Sequence, residues 1–221
     1  RVATIATDFA FGHEVTAAFQ RVFEDNGGKV VQKIWVPSTA TDFAAYVSQI
    51  RKDVDAVFVS FSGASATGFI RQYAEFGMKA RVPLLSSMAT VDESLLKVMG
   101  DNALGIVSGG TYSAAIDTPE NKQFAAAYLA ETGTDPGFYA MGNYTAGLFL
   151  EAALKSTKGR SDDGAALMAA LRDVKIESSF RGPISVDAYG NTVGNSYVRK
   201  IERKDGRLQN VVLRVYPNQT Q

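Results

Sequence analysis

The chain has 221 residues, 46% hydrophobic and 21% charged, an ordinary globular composition able to bury a sizeable core. Lys plus Arg and Asp plus Glu both number 23, so the formal net charge is zero, and the basic face expected of a nucleic-acid binder is not visible. There are no cysteines, which excludes disulfide scaffolds, Cys-based zinc sites and thiol catalysis, and no apolar run reaches the ~18 residues of a membrane span.

Val2 to Thr7 is a short apolar run closed by Asp8, the pattern of a strand buried on both faces. It begins abruptly and no secretory signal precedes it, which predicts further sequence ahead of Arg1. Glu14 to Asn26 carries Val15, Ala18, Phe19, Val22 and Phe23 at helical spacing and is stopped by Gly27-Gly28. Val30 to Val36 reads as the second strand. Asp42 can cap a helix with an apolar stripe of Phe43, Val47 and Ile50. Asp55 to Phe61 is the third strand, after which Gly63 opens a helix containing Phe69, Ile70 and Tyr73. Val82 to Leu85 is the fourth strand, Glu93 to Val98 a short helix, and Leu104 to Ser108 the fifth strand.

Strand–helix alternation of this kind predicts an α/β fold, a parallel doubly wound sheet with helices on both faces. Helices then dominate, over Pro119 to Glu131, Ala140 to Lys155 and Gly164 to Val174. The tail returns to strands at Gly182 to Val186, Ser196 to Glu202 and Leu208 to Val215. Lys204-Asp205-Gly206 signals a hairpin turn between the last two.

Ligands of open parallel sheets bind outside the carboxyl ends of the strands. Four loops answer that description: Asp8 to Gly12, Phe61 to Gly63, Ser86 to Ala89 and Gly109 to Tyr112. They carry Phe9, Phe11, Phe61, Met88 and Tyr112 among small and hydroxyl residues such as Ser62 and Gly63, and Asp8 is their one charged group. Aromatic surface with few polar groups suits a small, partly apolar ligand. Helices opening after Gly12 and Gly63 turn free N–H groups toward the rim and favour a carboxylate. The competing reading is that some of these rings pack inward and only cover the sheet.

Enzyme readings find less support. His13 is the only histidine, and a Ser-His-Asp hydrolase would have to use it; a surface or capping role suits its place at a helix start better. Gly63-Ala64-Ser65-Ala66-Thr67 resembles a nucleophile elbow but ends in Thr rather than Gly. Neither GxGxxG after the first strand nor GxxxxGK[ST] occurs, so dinucleotide and P-loop sites lack their motifs. Asp187 to Asn191 has turn composition and too few spaced carboxylates for a calcium loop. No catalytic residue, cofactor or metal is expected.

DFAFGHE at Asp8–Glu14, DFAAYVSQIR at Asp42–Arg51, DAVFVSFSG at Asp55–Gly63 and FIRQYAEFGM at Phe69–Met78 together resemble the branched-chain amino-acid-binding family of type I periplasmic binding proteins, the soluble receptors of ATP-driven bacterial importers. TYSAAIDTPENKQFAAAY at Thr111–Tyr128 and FRGPISVDAYGN at Phe180–Asn191 extend the resemblance over nearly the whole chain. It implies two α/β lobes with a ligand in the cleft between them, a membrane permease as partner, no catalysis, and a periplasmic or lipid-anchored extracellular location. On this template residues 1–115 are most of the second lobe, 116–190 the remainder of the first, and 191–221 strands returning to the second.

Two departures from the family pattern matter. The opening portion of the first lobe has no counterpart here, which predicts that the missing segment, or self-association, covers helix faces carrying Phe124, Tyr128, Leu148 and Leu167. The amino-acid binders also place a Tyr where Phe11 stands, an acidic residue for the ligand ammonium about where Met88 stands, and a Tyr near Ser62 or Gly63. A buried ammonium without a carboxylate partner is costly, by several kcal/mol, so the resemblance points to the relatives that take aromatic acids, with Phe11 as a stacking face and Tyr112 offering a ring and a hydroxyl. The alternatives are a receptor for branched-chain or other amino acids, a sensing domain of a regulator with the same fold, an enzyme on a doubly wound sheet, or an assembly protein with a large exposed apolar patch.

Overall fold

The computed structural model describes residues 1–220, which divide into two compact units: residues 1–109 with 200–209, and residues 110–199 with those from 210 onward. The boundary lies a few residues before the expected one at 115. The reason is that Tyr112 and Ser113 pack with the second unit's own residues: the Tyr112 hydroxyl donates to Asn121 Oδ1 and the Ser113 hydroxyl to the carbonyl of Asn210. The closing strands also contribute to both units rather than returning to one.

The first unit is built on parallel strands β1 (Val2–Thr7), β2 (Val30–Val36), β3 (Ala56–Ser60), β4 (Leu84–Ser87) and β5 (Val107–Gly110), in the spatial order β2-β1-β3-β4-β5. β1 is buried along its whole length, as its unbroken apolar run requires. The period-two alternation of the strands separates two cores. Val2, Ala56 and Phe58 face α1 (Ala10–Asp25), whose Phe19 lies flat on Phe58 with ring centres 4.0 Å apart. On the other face, Ala3, Ile5, Val57, Val59 and Leu84 pack with α2 (Ala44–Gln49), α3 (Gly63–Glu75) and α4 (Glu93–Met99). The doubly wound arrangement is therefore present in this unit.

Some helix starts differ from the sequence-based expectation. α1 begins at Ala10 rather than Glu14. Gly12 is not a break but a point of close approach: a Cβ there would lie 2.0 Å from the Thr7 carbonyl oxygen, so only glycine lets the first turn rest on the end of β1. Ahead of α2, Asp42 Oδ1 accepts the N–H of Ala44, and the buried Gln72 side chain accepts the N–H of Phe43.

The second unit contains α5 (Pro119–Thr132), α6 (Phe138–Ser156) and α7 (Gly164–Arg172), with β6 (Lys175–Ile176) and β7 (Ile184–Val186) pairing antiparallel and β7 pairing with the start of β8 (Thr192–Lys204). β6 is an element the sequence did not announce. β8 turns into β9 (Arg207–Gln219) through Asp205 and Gly206, both at positive φ (51° and 76°); the Asp-Gly pair supplies the left-handed residues such a turn demands.

The core of the second unit joins Tyr112, Ile116, Met141, Phe180 and Tyr197. Asn121, fully buried in the first turn of α5, ties it together. Its amide donates to the carbonyls of Ala114 (3.0 Å) and Ile116 (2.9 Å), while its oxygen accepts the Tyr112 hydroxyl at 2.9 Å. Arg199, also without solvent exposure, donates to the Tyr112 carbonyl at 2.7 Å. The apolar side chains expected at the surface of these helices, Phe124, Tyr128, Leu148 and Leu167, are instead half-buried; those exposed are Tyr139, Tyr144, Leu150 and Met168. The difference arises because Phe124 turns in to pack against Phe180, ring centres 4.5 Å apart and the planes tilted, and Leu148 packs on the same cluster.

Replacing Asn121 by Ala strands the Tyr112 hydroxyl and the carbonyls it serves. Each buried group left unpaired costs about 1–3 kcal/mol, so Asn121→Ala is expected to lower unfolding stability by roughly 3 kcal/mol, measured as a shift of the urea midpoint.

Candidate functional site

The strand order of the first unit reverses direction at β1. β2 lies to one side, β3 and the later strands to the other, so the helices leaving β1 and β3 depart over opposite faces of the sheet. The carboxyl ends of β1 and β3, where this divergence occurs, are the general ligand position of open α/β sheets. The loops Asp8–Gly12 and Phe61–Gly63 form the rim there.

Both helices arrive there uncapped. α1 follows Phe9 in extended conformation and α3 follows Ser62; no side chain caps either one, and neither has an acidic residue in its first turn. The leading N–H groups of a helix have no partner within it and carry the positive end of its dipole. Gly63 sits at φ +54°, a left-handed conformation that a Cβ would strain. Gly12 does the equivalent at α1 through its contact with Thr7.

The predicted site residues divide sharply in this geometry. Phe9 is 49% exposed and Phe11 half-buried, their ring centres 6.2 Å apart at the start of α1. Ser62 and Gly63 are exposed at the start of α3, and Met88 is half-buried in the short 3-10 turn that follows β4. These residues occupy the carboxyl-end rim of one unit. Phe61 and Tyr112 do not present their side chains there. Phe61 is 1% exposed and meets Phe43 and Phe69 in the core on the α3 face. Tyr112 is 0% exposed and belongs to the core of the second unit, between Phe124 and Phe180, with its hydroxyl committed to Asn121. The expectation that these two rings face a ligand is corrected for this structure: a ring packed on all sides has no free face, and this is the inward-packing alternative realised.

Beneath the rim runs a chain of hydroxyls that sequence reasoning did not single out. Ser60 ends β3, Ser87 ends β4, and Thr90 lies in the following turn; Ser60 and Thr90 are fully buried and Ser87 half-buried. The Ser60 hydroxyl donates to Ser87 Oγ at 3.2 Å, and Ser87 Oγ lies 3.0 Å from Thr90 Oγ1. Thr90 Oγ1 accepts the N–H of Phe61 at 3.1 Å and donates toward the carbonyls of Phe61 (3.0 Å) and Val59 (3.3 Å). Thr90 thus fastens the Phe61–Gly63 loop to the end of β4. The available signal was the run of hydroxyls in VSFS and SSMAT, at the carboxyl ends of two strands that the β3–β4 register makes neighbours.

The polar groups nearest by are already engaged with each other. Asp8 Oδ1 lies 2.8 Å from His13 Nε2, and the His13 ring packs tilted against Trp35, ring centres 4.0 Å apart. Among the described residues, no cluster of three or more His, Asp or Glu could hold a metal ion, and no helix is long and apolar enough to cross a membrane.

Comparisons with known proteins identify relatives of the whole chain. The sequence pattern described as periplasmic binding protein matches residues 1–207. A Leu/Ile/Val-binding protein homolog 6 of Brucella melitensis is 27% identical over 99% of this chain and 57% of its own length. A solute-binding protein of an ABC transporter from Rhodopseudomonas palustris, solved in complex with 3,4-dihydroxybenzoic acid, is 39% identical with a TM-score of 0.90, over 98% of this chain and 60% of that one. An ABC transporter substrate-binding protein from Sphaerobacter thermophilus is 34% identical with a TM-score of 0.91, over 99% of this chain and 60% of that one. A further R. palustris solute-binding protein, in complex with 4-hydroxybenzoate, is 31% identical with a TM-score of 0.89. The chain thus spans somewhat over half the length of the relatives it matches.

Two substitutions test how the rim is held. Thr90→Val leaves the buried N–H of Phe61 without its acceptor, and is expected to cost about 2 kcal/mol in chemical denaturation. Gly12→Ala forces a methyl into the Thr7 carbonyl and should cost about 2–3 kcal/mol, the upper range for inserting a methyl into a packed site, with the first turn of α1 displaced in a crystal structure or in amide exchange.

Proposed function

This chain belongs to the periplasmic binding protein family, and from that premise we propose that it takes an aromatic carboxylate at the rim of its first unit, as the receptor of an ATP-driven importer working outside the cytoplasm. The single observation that carries the ligand class is the character of the rim. Two uncapped helix N-termini follow the carboxyl ends of the adjacent strands β1 and β3, where the strand order reverses, with the exposed Phe9 and half-buried Phe11 at the start of the first. Backbone N–H groups and helix dipoles suit a carboxylate, and the rings suit a flat apolar body.

The same rim is poorly equipped for the ammonium of an amino acid. Its one carboxylate, Asp8, is engaged by His13 at 2.8 Å, and Met88 occupies the β4 turn where an amino-acid receptor is expected to carry an acid. An ammonium brought there would exchange water for apolar surface. The relatives solved with hydroxylated benzoic acids support this reading over the one suggested by the Leu/Ile/Val-binding homolog. The role we read is binding rather than turnover, as the family and its ABC-transporter solute-binding relatives suggest; the lone histidine is paired with Asp8 and lies against Trp35. Release to a membrane permease is the partner step that the family role supplies.

Isothermal titration calorimetry separates the two ligand classes. Benzoate is expected to bind with micromolar or tighter affinity, with little response to leucine or valine. Tight leucine or valine binding with no benzoate signal would overturn the assignment.

A further inference from the structure

We infer that Ser87 is a specificity residue, which accepts a hydrogen bond from a ring hydroxyl of the ligand and so selects hydroxylated aromatic acids over unsubstituted ones. The inference rests on the aromatic-carboxylate reading and goes beyond it.

The protons along the hydroxyl chain can be assigned one by one. Each hydroxyl has one proton to give and two lone pairs to receive. Thr90 Oγ1 lies within hydrogen-bond distance of two carbonyls, those of Phe61 and Val59. Its single proton must go to them, because two carbonyl oxygens facing a lone pair would repel it. Thr90 then has acceptor capacity only, filled on one side by the N–H of Phe61. The Ser87 hydroxyl must therefore be the donor across the 3.0 Å gap to Thr90. Ser60, with no solvent exposure, gives its own proton to Ser87 at 3.2 Å.

The chain consequently runs in one direction, from Ser60 through Ser87 and Thr90 to backbone carbonyls. Ser87 is its only half-exposed member. It has given its proton and accepted one, and among the described residues no second donor reaches it, so what it shows the rim is a lone pair. A lone pair repels a carboxylate and welcomes a hydroxyl proton.

Position reinforces the chemistry. Phe11, Val15, Phe19 and Phe23 form one ridge of α1 at four-residue spacing, and Phe19 stacks on Phe58. Val15, Phe19 and Phe23 pack in one cluster with Phe58 and Leu85. Ser60 lies two residues beyond Phe58, and Ser87 two beyond Leu85, hence on the same sheet face and toward the carboxyl ends. Phe11 begins the ridge at that same end. The half-buried ring and the half-buried acceptor thus share one corner of the rim, as a ligand with an aromatic body and a phenolic edge requires.

Titration of the full chain with benzoate, 4-hydroxybenzoate and 3,4-dihydroxybenzoate provides the test. One added hydrogen bond to a prepared acceptor should favour the better hydroxylated acid over benzoate by roughly tenfold. Ser87→Ala should erase that preference, so that the hydroxylated acids bind no more tightly than benzoate does to the same variant, and Ser87→Thr, which keeps the oxygen, should retain it. Equal affinity for all three acids in the unmodified protein, or a preference that survives Ser87→Ala, would overturn the inference while leaving the aromatic-carboxylate reading intact. Failure of all three acids to bind would overturn both.

Discussion

The placement of β1 between β2 and β3, with α1 resting directly on its end, is the constraint on which the rest of the first unit depends. A parallel strand with neighbours on both sides must be buried along its length, and β1 is. The chain leaving it must turn back over one face of the sheet while the chain leaving β3 turns over the other. Glycine at position 12 is what makes the first of those turns tight, since any Cβ would overlap the Thr7 carbonyl. Had α1 been forced outward, its leading N–H groups would no longer lie over the strand end, and the Phe11–Val15–Phe19–Phe23 ridge would lose its seat on Phe58 and Leu85. Core packing and rim geometry are two consequences of one contact.

The contrast between Phe61 and its counterparts Phe9 and Phe11 shows how narrowly burial is decided at a strand end. All three lie just past a strand, β3 or β1, and all are phenylalanines. Phe61 is drawn in because Phe43 and Phe69, supplied by the residue ahead of α2 and by α3, form an aromatic pocket with centres 5.2–5.4 Å away. Phe9 and Phe11 have each other at 6.2 Å and no such pocket. Aromatic pairs at these separations add about 0.5–1.5 kcal/mol beyond the area they bury. That is enough to commit one ring to stability and leave the others at the rim.

This also explains how far the sequence could be read. Its continuous apolar runs announced β1 and β3, its helical stripes announced α1, α3 and the helices of the second unit, and Asp-Gly announced the β8–β9 turn. Gly12 misled, because a glycine needed for close approach looks the same in sequence as one that ends an element. β6, two residues long, has no periodicity to show. The fate of Tyr112 was hidden because its partner Asn121 is an ordinary first-turn residue of α5, and nothing in its spacing says that it will be buried. The Ser60–Ser87–Thr90 chain was hidden for a related reason: its members are scattered over thirty-one positions and meet only through the pairing of Val59 with Ser86.

On the proposed reading, these features explain why a rim almost without charge can hold an anion. The N–H groups of α1 and α3 are fixed by helices whose inner faces are packed and suit the carboxylate, while the hydroxyls, oriented by partners behind them rather than by the ligand, are prepared for its ring hydroxyl. Groups oriented in advance lose little freedom when a ligand arrives, so more of each interaction appears as affinity. Dipoles have a further advantage over a lysine or arginine here. A free cation at the rim would attract any anion and be screened by salt, whereas a helix end acts over a turn's length and a directional lone pair over a hydrogen bond's. Discrimination among similar acids then falls to the one polar atom whose donor–acceptor state is already decided, and that state is fixed by Thr90 in the turn beneath the rim.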